Sequence, residues 1–259
     1  MSTTRSQRIM KTLLFCTSYI RDAEAWKTRY QRWLDFYGNG PIHADKILMI
    51  DDGSPYLPPA KTIPTVPASH DIREHDHATG IVRFEQNLGR QSMAHYPGWW
   101  RSFLHAHTIA TAIGADKIVH IESDAYLLSQ ALVDFVNETR TGWHVMWAQR
   151  YELPETAVQI ICRDQFDALE AFKNAHPDLT FTDIAERLLP FTSVNRHFKG
   201  DRYSEFKRRR GIFRSRKFDF IPIFQHDFFW EPIPSDADFA TQVVQRQKLA
   251  VRHSGAPSR

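Results

Sequence analysis

The sequence predicts an α/β fold in which a mixed, mainly parallel sheet is flanked by helices. Between residues 12 and 140, short apolar runs alternate with segments whose apolar residues recur at helical spacing, the pattern of strand–helix–strand units. Three of these runs end abruptly in polar residues, as expected where strands meet a ligand-binding edge. The chain of 259 residues is long enough for one such domain.

The first elements follow from apolar runs and the residues that flank them. "KTLLFCTSY" predicts a strand centred on residues 13–16, and residues 1–10 before it are expected to form a disordered lead-in. "DAEAWKTRYQRWLDFYG" predicts a helix with Asp22 as its N-cap and Gly38 at its end. "KILMI" is the second predicted strand. Residues 53–79, rich in Pro, His and Asp, predict a long loop without regular structure.

The same pattern continues towards the C-terminus. "GIVRFE" and "DKIVHIESD" predict the third and fourth strands, and a helix from Pro97 to Gly114 lies between them. A helix capped by Ser129 then precedes two further strands, "GWHVMWAQR" and "TAVQIICR". After Arg163, "RDQFDALEAFKNA" and "FTDIAERLLPF" predict helices. We expect one domain over residues 1–259, with the last third covering the sheet.

Composition excludes several classes of protein. The formal net charge of +3 is too small for a polyanion binder, so no nucleic-acid partner is expected. Cys16 and Cys162 both lie in apolar runs, which favours reduced core thiols and a cytoplasmic location. No apolar run reaches the roughly 20 residues that span a bilayer. The sequence contains neither a G-x-G-x-x-G after its first strand nor a P-loop, which argues against the enzymes that use those phosphate cradles.

Polar residues end three of the predicted strands. These ends are Thr17-Ser18-Tyr19, Asp51-Asp52-Gly53-Ser54 and Glu122-Ser123-Asp124. Because the carboxyl ends of parallel strands share one edge, the acids are expected to bind a divalent cation, Mn²⁺ or Mg²⁺, or the donor groups of a nucleoside. Two simpler interpretations stay open. Residues 51–54 could form only a turn, and residues 122–124 could only cap the following helix.

The order of these motifs resembles a known family. "IDDGSP", "RFEQNLGRQ", a helix and "IVHIESDAYL" follow one another as in nucleotide-sugar glycosyltransferases of the GT-A fold, particularly the inverting family 2. The resemblance covers residues 12–140, about half of the chain. It implies a Rossmann-like GT-A sheet in which residues 11–150 bind the nucleotide sugar, residues 151–245 face the acceptor and residues 246–259 form a flexible tail.

The resemblance also implies roles for individual residues. Those expected to bind the donor are Thr17, Tyr19, Asp51, Asp52, Asn87, Gly89 and Ser123. Thr17 and Tyr19 would flank the base, whereas Asp51 or Asp52 would bond the base or the ribose. Glu122 and Asp124 occupy the D-x-D positions, with Asp124 as the anchor of Mn²⁺ or Mg²⁺. Glu122 departs from the family pattern, which permits an altered or water-mediated metal contact at that position.

Two further groups complete the expected site. A carboxylate must accept the proton of the acceptor hydroxyl, and the resemblance places this base after the metal motif. Asp183 and Glu186 in "FTDIAERLL" are the candidates, with Asp164 and Glu155 behind them. Asp183 is preferred because it is predicted to begin a helix. The resemblance also implies that His226 in "FQHDFFW" reaches the metal; the alternative is a hydrogen-bonded histidine near the surface.

Together these features predict a metal-dependent enzyme that moves a sugar from a nucleoside-diphosphate sugar, a UDP-sugar by preference, to a hydroxyl of a carbohydrate or lipid-linked acceptor. The likeness to family 2 implies inversion, with retention left open, and it implies surface polysaccharide biosynthesis as the context. The basic segment 207–217 is either a solvated face or a functional one. In the second case it would clamp the donor's diphosphate or contact an anionic lipid-linked acceptor or the inner face of a membrane. The alternatives are a non-enzymatic polyanion- or membrane-binding protein that uses this segment, and a catalytically inactive glycosyltransferase-like protein.

Overall fold

The computed structural model describes residues 10–92, 95–203, 233–243 and 249–252. His226, the basic segment 207–217 and most of the expected tail 246–259 lie outside the described residues, as do residues 1–9 of the expected lead-in. Within the described ranges, none of the helices has the length and apolar character needed to cross a membrane.

Eleven strands and six α-helices lie within the described ranges. The strands are β1 (Thr12–Ser18), β2 (Lys46–Asp51), β3 (Thr65–Pro67), β4 (Thr79–Arg83), β5 (Lys117–Ile121), β6 (Tyr126–Leu127), β7 (Trp143–Ala148), β8 (Leu153–Cys162), β9 (Ser193–Asn195), β10 (Gly200–Arg202) and β11 (Phe239–Thr241). The helices are α1 (Ala23–Ala25), α2 (Arg32–Gly38), α3 (Pro97–Ile113), α4 (Gln130–Glu138), α5 (Phe166–Ala175) and α6 (Ala185–Leu188). A π-helical segment, Trp26–Gln31, joins α1 to α2.

The main sheet confirms the predicted mixed, mainly parallel α/β architecture. Its eight strands lie in the order β3-β4-β2-β1-β5-β8-β7-β9. The first five are parallel neighbours, and β8 runs antiparallel to both β5 and β7. Ser18, Asp51 and Arg83 are paired in register at the ends of β1, β2 and β4. The carboxyl ends of these strands therefore meet at one edge of the sheet.

Both faces of the sheet are buried. Along β1, Leu13 and Phe15 belong to the core cluster that contains α3, whereas Leu14 and Cys16 belong to the cluster that contains α2. This alternation follows from the two-residue period of a strand. Cys16 and Cys162 are buried free thiols, as the apolar surroundings of both residues predicted.

Helix boundaries agree with the capping residues in the sequence. The Asp22 carboxylate accepts a hydrogen bond from Ala25 N at 2.8 Å, and α2 ends at Gly38. Ser129 Oγ accepts a bond from Leu132 N at 3.3 Å at the start of α4. Gly114 ends α3 with φ at 67°, a left-handed conformation that glycine adopts without steric cost. These four predicted ends are confirmed.

Two expectations about local structure were wrong. Residues 53–79 contain strand β3, which pairs with β4, and a 3₁₀ turn at Ile72–Glu74. The pairing of β3 with β4 gives this region regular structure that its Pro-rich composition did not predict. "FTDIAERLLPF" forms only the short helix α6, whose N-cap position is Ile184. Asp183 therefore precedes this helix and does not begin it.

Candidate active site

A cleft of about 1060 Å³ opens at the carboxyl ends of β1, β2 and β5. Its other walls come from the first turn of α3, from β8 and from α6. Eight of the residues predicted to form the site line it: Thr17, Tyr19, Asp52, Asn87, Gly89, Glu122, Ser123 and Glu186. Asp51, Asp124 and Asp183 are not among the lining residues in the described part of the chain.

Asp51 lies inside the turn that follows β2. Its carboxylate is fully buried and accepts hydrogen bonds from Ser18 Oγ at 3.0 Å, from Ser54 N at 2.9 Å and from Ser54 Oγ. The guanidinium of Arg83 lies 3.8 Å away. Burial raises the pKa of Asp51, and the hydrogen bonds from Ser54 and Ser18 oppose that rise. In this structure Asp51 stabilises the turn.

Asp52 faces the opposite way and organises the loop at residues 87–89. It accepts hydrogen bonds from Asn87 Nδ2 and Gly89 N, both at 2.8 Å, and from Leu88 N at 3.2 Å. Arg101 donates a further bond. The two adjacent acids tolerate each other because each has its own donors and its own arginine. The N-x-G element is thus fixed in place by the second Asp of the DDGS motif.

Tyr19 contributes an exposed aromatic ring to the lining of the cleft. Its side chain is 47% exposed, yet its backbone is fixed by Tyr30, whose hydroxyl accepts from Tyr19 N at 3.0 Å and donates to Tyr19 O at 2.8 Å. Leu88, 36% exposed, belongs to the loop that Asp52 organises. An exposed aromatic ring on an ordered backbone can stack on a flat ligand.

The π-helical segment Trp26–Gln31 places two successive side chains in the cleft. Tyr30 fixes Tyr19, and Arg29 reaches the end of β5, where its Nε donates to Ser123 Oγ at 2.7 Å. Arg29 Nη2 also lies 3.0 Å from Asp124 Oδ2. Segments of π-helix within α-helices are rare and occur frequently at functional sites. Helical periodicity predicts a helix here but gives no signal for its π-helical part, so the sequence did not indicate Arg29.

Glu122 lies at the acidic end of the cleft. Trp99 Nε1 donates a hydrogen bond to its Oε1 at 3.2 Å. Burial raises the pKa of Glu122 to about 8, and the negative charges of Asp124 and Glu155 contribute to that rise. Trp100 is fully buried whereas Trp99 lines the cleft. The adjacent tryptophans therefore divide between core and site.

Arg202 joins two more acids in the same region. Its Nε lies 2.8 Å from Oε2 of the buried Glu155, and its Nη2 lies 3.0 Å from Glu186 Oε1. Burial raises the pKa of Glu186, Glu155 raises it further, and Arg202 lowers it. Glu186 is 12% exposed and lines the cleft. It is therefore a carboxylate with increased proton affinity that a ligand can reach.

The acids at this end suit a divalent cation in charge and in ligand type. Glu122, Asp124, Glu155 and Glu186 face the guanidinium groups of Arg29 and Arg202. When all four acids are ionised, four negative charges meet two positive charges, which leaves an excess of two. Asp124 Oδ1 is buried and has no hydrogen-bond partner within the described residues. No group of three or more His, Cys, Asp or Glu in the described ranges has metal-binding geometry. A cation here would therefore share its coordination with a ligand's oxygens.

The candidates for the general base differ in their exposure and in whether they line the cleft. Asp183 is 39% exposed, accepts a hydrogen bond from Ile184 N at 2.8 Å and pairs with Arg187 at 3.2 Å. That backbone bond and Arg187 both lower the pKa of Asp183. Asp164 accepts from Gly142 N at 3.0 Å on the exposed surface. Of the four candidates only Glu155 and Glu186 line the cleft, and Glu155 is 2% exposed and paired with Arg202 at 2.8 Å. Glu186 is more accessible, so it replaces Asp183 as our candidate.

Several lining residues were not identified from the sequence. Tyr96 accepts a hydrogen bond from Ala185 N at 2.8 Å and connects the start of α3 to α6. Burial raises the pKa of Tyr96 to about 12. Arg202 comes from β10, which no periodic pattern marks. Neither residue belongs to a sequence motif, and only the fold brings them to the cleft.

Comparisons with known proteins were made by sequence and by structure. No protein-family model and no curated protein matches this chain. Among solved structures, a glycosyltransferase involved in the glycosylation of the major capsid of PBCV-1 is similar with a TM-score of 0.43 and 9% identity, over 90% of this chain and 92% of that chain.

Two further solved structures are similar over a smaller part of the chain. For M. tuberculosis glucosyl-3-phosphoglycerate synthase the TM-score is 0.37, at 12% identity over 71% of this chain and 70% of that chain. For S. aureus TarS 1-349 in complex with UDP it is 0.36, at 12% identity over 70% of this chain and 52% of that chain. The resemblance to family 2 remains a prediction from the motifs, and the function proposed below rests on the cleft.

Proposed function

We propose that the protein transfers a sugar from a nucleoside-diphosphate sugar, a UDP-sugar by preference, to a hydroxyl of a carbohydrate or lipid-linked acceptor. The observation that carries this proposal is that one cleft is lined by two kinds of surface. Tyr19 and the loop at residues 87–89 offer groups suited to a base and ribose, whereas Glu122 and Glu186 offer carboxylates. A sugar donor needs both kinds of surface next to each other.

The nucleoside would bind beside Tyr19. The Tyr19 ring offers a stacking face, and Thr17 lines the cleft beside it. Asp52 already accepts from four donors on Asn87, Leu88, Gly89 and Arg101. We therefore propose that Asp52 acts indirectly, by holding the loop at residues 87–89 in position. The loop itself would contact the nucleoside.

Glu122 and Asp124 are the residues that would hold a divalent cation, with Ser123 between them facing the cleft. A bound Mn²⁺ or Mg²⁺ would supply a Lewis acid that neutralises the charge developing on the leaving diphosphate. Asp124 contributes an acceptor oxygen that lacks a described partner, and Glu122 contributes a carboxyl whose raised pKa would fall beside a cation.

Glu186 is the proposed general base. The acceptor hydroxyl has a very high pKa, so its proton must pass to a carboxylate as its oxygen attacks the sugar. The bond between the sugar and the diphosphate then breaks, and the diphosphate leaves with its electron pair. Arg202 orients Glu186 through the 3.0 Å contact. A single displacement of this kind inverts the configuration at the sugar carbon.

The aromatic residues near the base suit a carbohydrate acceptor. Trp99, Tyr96 and Tyr151 line the cleft beside Glu122, Glu155 and Glu186. Aromatic faces pack against the apolar faces of sugar rings, while carboxylates accept bonds from sugar hydroxyls. This combination is the reason why we place the acceptor at the acidic end.

The proposal is tested by titrating the purified chain with UDP and GDP in a calorimeter, with and without Mn²⁺. We expect binding that Mn²⁺ strengthens, and we expect Asp124→Ala to abolish the Mn²⁺ effect. Asp35→Ala, which removes an exposed acid on α2, serves as the matched control and should leave the titration unchanged. Hydrolysis of a UDP-sugar by water reports turnover without a known acceptor. If neither nucleotide binds in any condition, the proposed function is wrong.

A further inference from the structure

Arg29 holds an unusual position among the cleft residues. Its guanidinium bonds to Ser123 Oγ at 2.7 Å and to Asp124 Oδ2 at 3.0 Å, so it contacts the turn to which the cation was assigned above. The side chain is nevertheless 45% exposed, and it lines the cleft. One edge of the guanidinium is therefore engaged by protein, while another part of the side chain faces the space where a ligand would bind.

The backbone at Arg29 also indicates a specific role. Arg29 and Tyr30 are consecutive, and both point into the cleft from the π-helical segment Trp26–Gln31. In a regular α-helix, consecutive side chains are separated by about 100° around the axis. Arg29 and Tyr30 nevertheless line the same cleft, from a segment whose spacing differs from that of a regular helix. Such segments are frequent at functional sites.

The charges around Asp124 explain what Arg29 does in the structure. Asp124 Oδ2 is paired with Arg29, whereas Oδ1 is buried without a described hydrogen-bond partner. A guanidinium forms paired hydrogen bonds with phosphates as well as with carboxylates. Arg29 can therefore bind either the acid or a diphosphate placed in the cleft.

We propose that Arg29 is a donor-binding residue that serves two anions in turn. Without a donor it neutralises Asp124, and with a donor it bonds the diphosphate and releases Asp124 to hold a divalent cation. This inference rests on the proposed function for its second half. Its first half, the pairing of Arg29 with Asp124 when no donor is bound, does not depend on the proposed function. Arg29 and a cation therefore compete for the carboxylate of Asp124. A nucleoside diphosphate ends this competition because it binds Arg29 in place of Asp124.

Two measurements on the full chain test this role. The first is binding of Mn²⁺ alone, followed by the paramagnetic resonance of free Mn²⁺. We expect Arg29→Gln to bind Mn²⁺ roughly tenfold more tightly than wild type, because the charge that occupies Asp124 is gone. The second is calorimetry with UDP and GDP in the presence of a chelator. Here Arg29→Gln should weaken binding by roughly tenfold or more, since a bond between an arginine and a phosphate is lost.

Two further variants make the result specific. Arg29→Lys keeps the charge but not the planar fork, so it should fall between wild type and Arg29→Gln in both measurements. Arg21→Gln removes an exposed arginine of the same connection, paired with Asp22 at 2.8 Å, and should change neither affinity. A thermal unfolding curve for each variant verifies that it is folded.

Opposite shifts in the two affinities distinguish this role from a merely structural one. A structural tie between the π-helical segment and the end of β5 predicts that Arg29→Gln weakens both affinities or neither, and either result would overturn the inference. Nucleotide binding that Arg29→Gln leaves unchanged would reject the role of Arg29 alone. Absence of UDP and GDP binding in the wild type would instead reject the proposed function, while the Mn²⁺ measurement would still judge the pairing of Arg29 with Asp124.

Discussion

Trp99 donates its indole N–H to Oε1 of Glu122 across 3.2 Å, and this bond links the first turn of α3 to the end of β5. The residue before it, Gly98, lies directly against Asp52. Two consecutive residues of one helix thus contact the acids that follow β2 and β5. The geometry of the cleft therefore depends on this turn.

Replacing Trp99 by Phe removes the donor to Glu122 and keeps an aromatic ring. The Trp99 ring stacks on Phe103 with centroids 4.8 Å apart, and a phenyl ring can preserve part of that contact. We expect hydrolysis of a UDP-sugar to slow about tenfold, the effect of one lost hydrogen bond to a carboxyl group, with nucleotide affinity kept. Steady-state rates and calorimetry measure the two quantities. Unchanged turnover would show that this bond does not support the site.

Replacing Gly98 by Ala should disturb Asp52. A Cβ at this position would overlap the carboxylate of Asp52, so the carboxylate or the helix must move. We expect the free energy of unfolding to fall by about 1–3 kcal/mol and nucleotide affinity to fall with it. Gly38→Ala is the matched control, because the space that its new Cβ would take is open to a distance of 4 Å. Urea denaturation of both variants decides the matter, and equal stabilities would contradict the prediction.

Replacing Glu186 by Gln tests the base. The amide cannot accept the hydroxyl proton, so turnover should fall by about 10²–10⁴-fold, whereas UDP affinity should change little. Asp183→Asn is the matched comparison, because Asp183 precedes Glu186 closely in the chain and does not line the cleft. We expect it to retain turnover within a few-fold. The assignment fails if the two variants behave alike.

The stability of the fold should decrease in acid through His105. Burial, with Lys173 and Arg101 nearby, lowers the pKa of His105 to about 4 from the ordinary value of 6.5. Between these values the unfolded chain binds more protons than the folded chain, so the free energy of unfolding falls as pH decreases from 6.5 towards 4.

Urea denaturation of His105→Gln across this pH range measures that contribution. The variant should lose less stability on acidification than the wild type, because it has no proton to take up at this position. His43→Gln, which alters an exposed histidine, should keep the slope of the wild type. An identical pH slope for His105→Gln and wild type would refute the prediction.

The strands and helix ends could be predicted because each leaves a local mark in the sequence. Leu13 to Cys16 form an unbroken apolar run, and the side chains of Asp22 and Ser129 act as caps in any context where a helix follows. The alternation of strands and helices then limits the architecture to an α/β sheet. The acids at the ends of β2 and β5 could be placed at one edge for the same reason.

The finer geometry of the cleft was not accessible in this way. Asp51 and Asp52 are adjacent in sequence and both are buried, and only the structure shows that Asp52 alone of the two lines the cleft. Asp183 was preferred over Glu186 because a helix was expected to begin earlier. The direction of each side chain depends on where the helix starts, since every residue adds about 100° of rotation.

Arg29 illustrates a different obstacle. Its position depends on a π-helical segment, in which the hydrogen-bond spacing departs from the regular helix for six residues. Helical periodicity assumes a constant spacing. The apolar pattern therefore predicts the helix but not the direction of the Arg29 side chain, which the π-helical segment changes.

The paired hydrogen bonds between the Tyr30 hydroxyl and the backbone of Tyr19 have a consequence for recognition kinetics. They fix the backbone of Tyr19 before a ligand binds, so little conformational entropy is lost on binding. Binding beside Tyr19 should therefore require little rearrangement of the protein. Differences in affinity between ligands should then arise mainly from their dissociation rates.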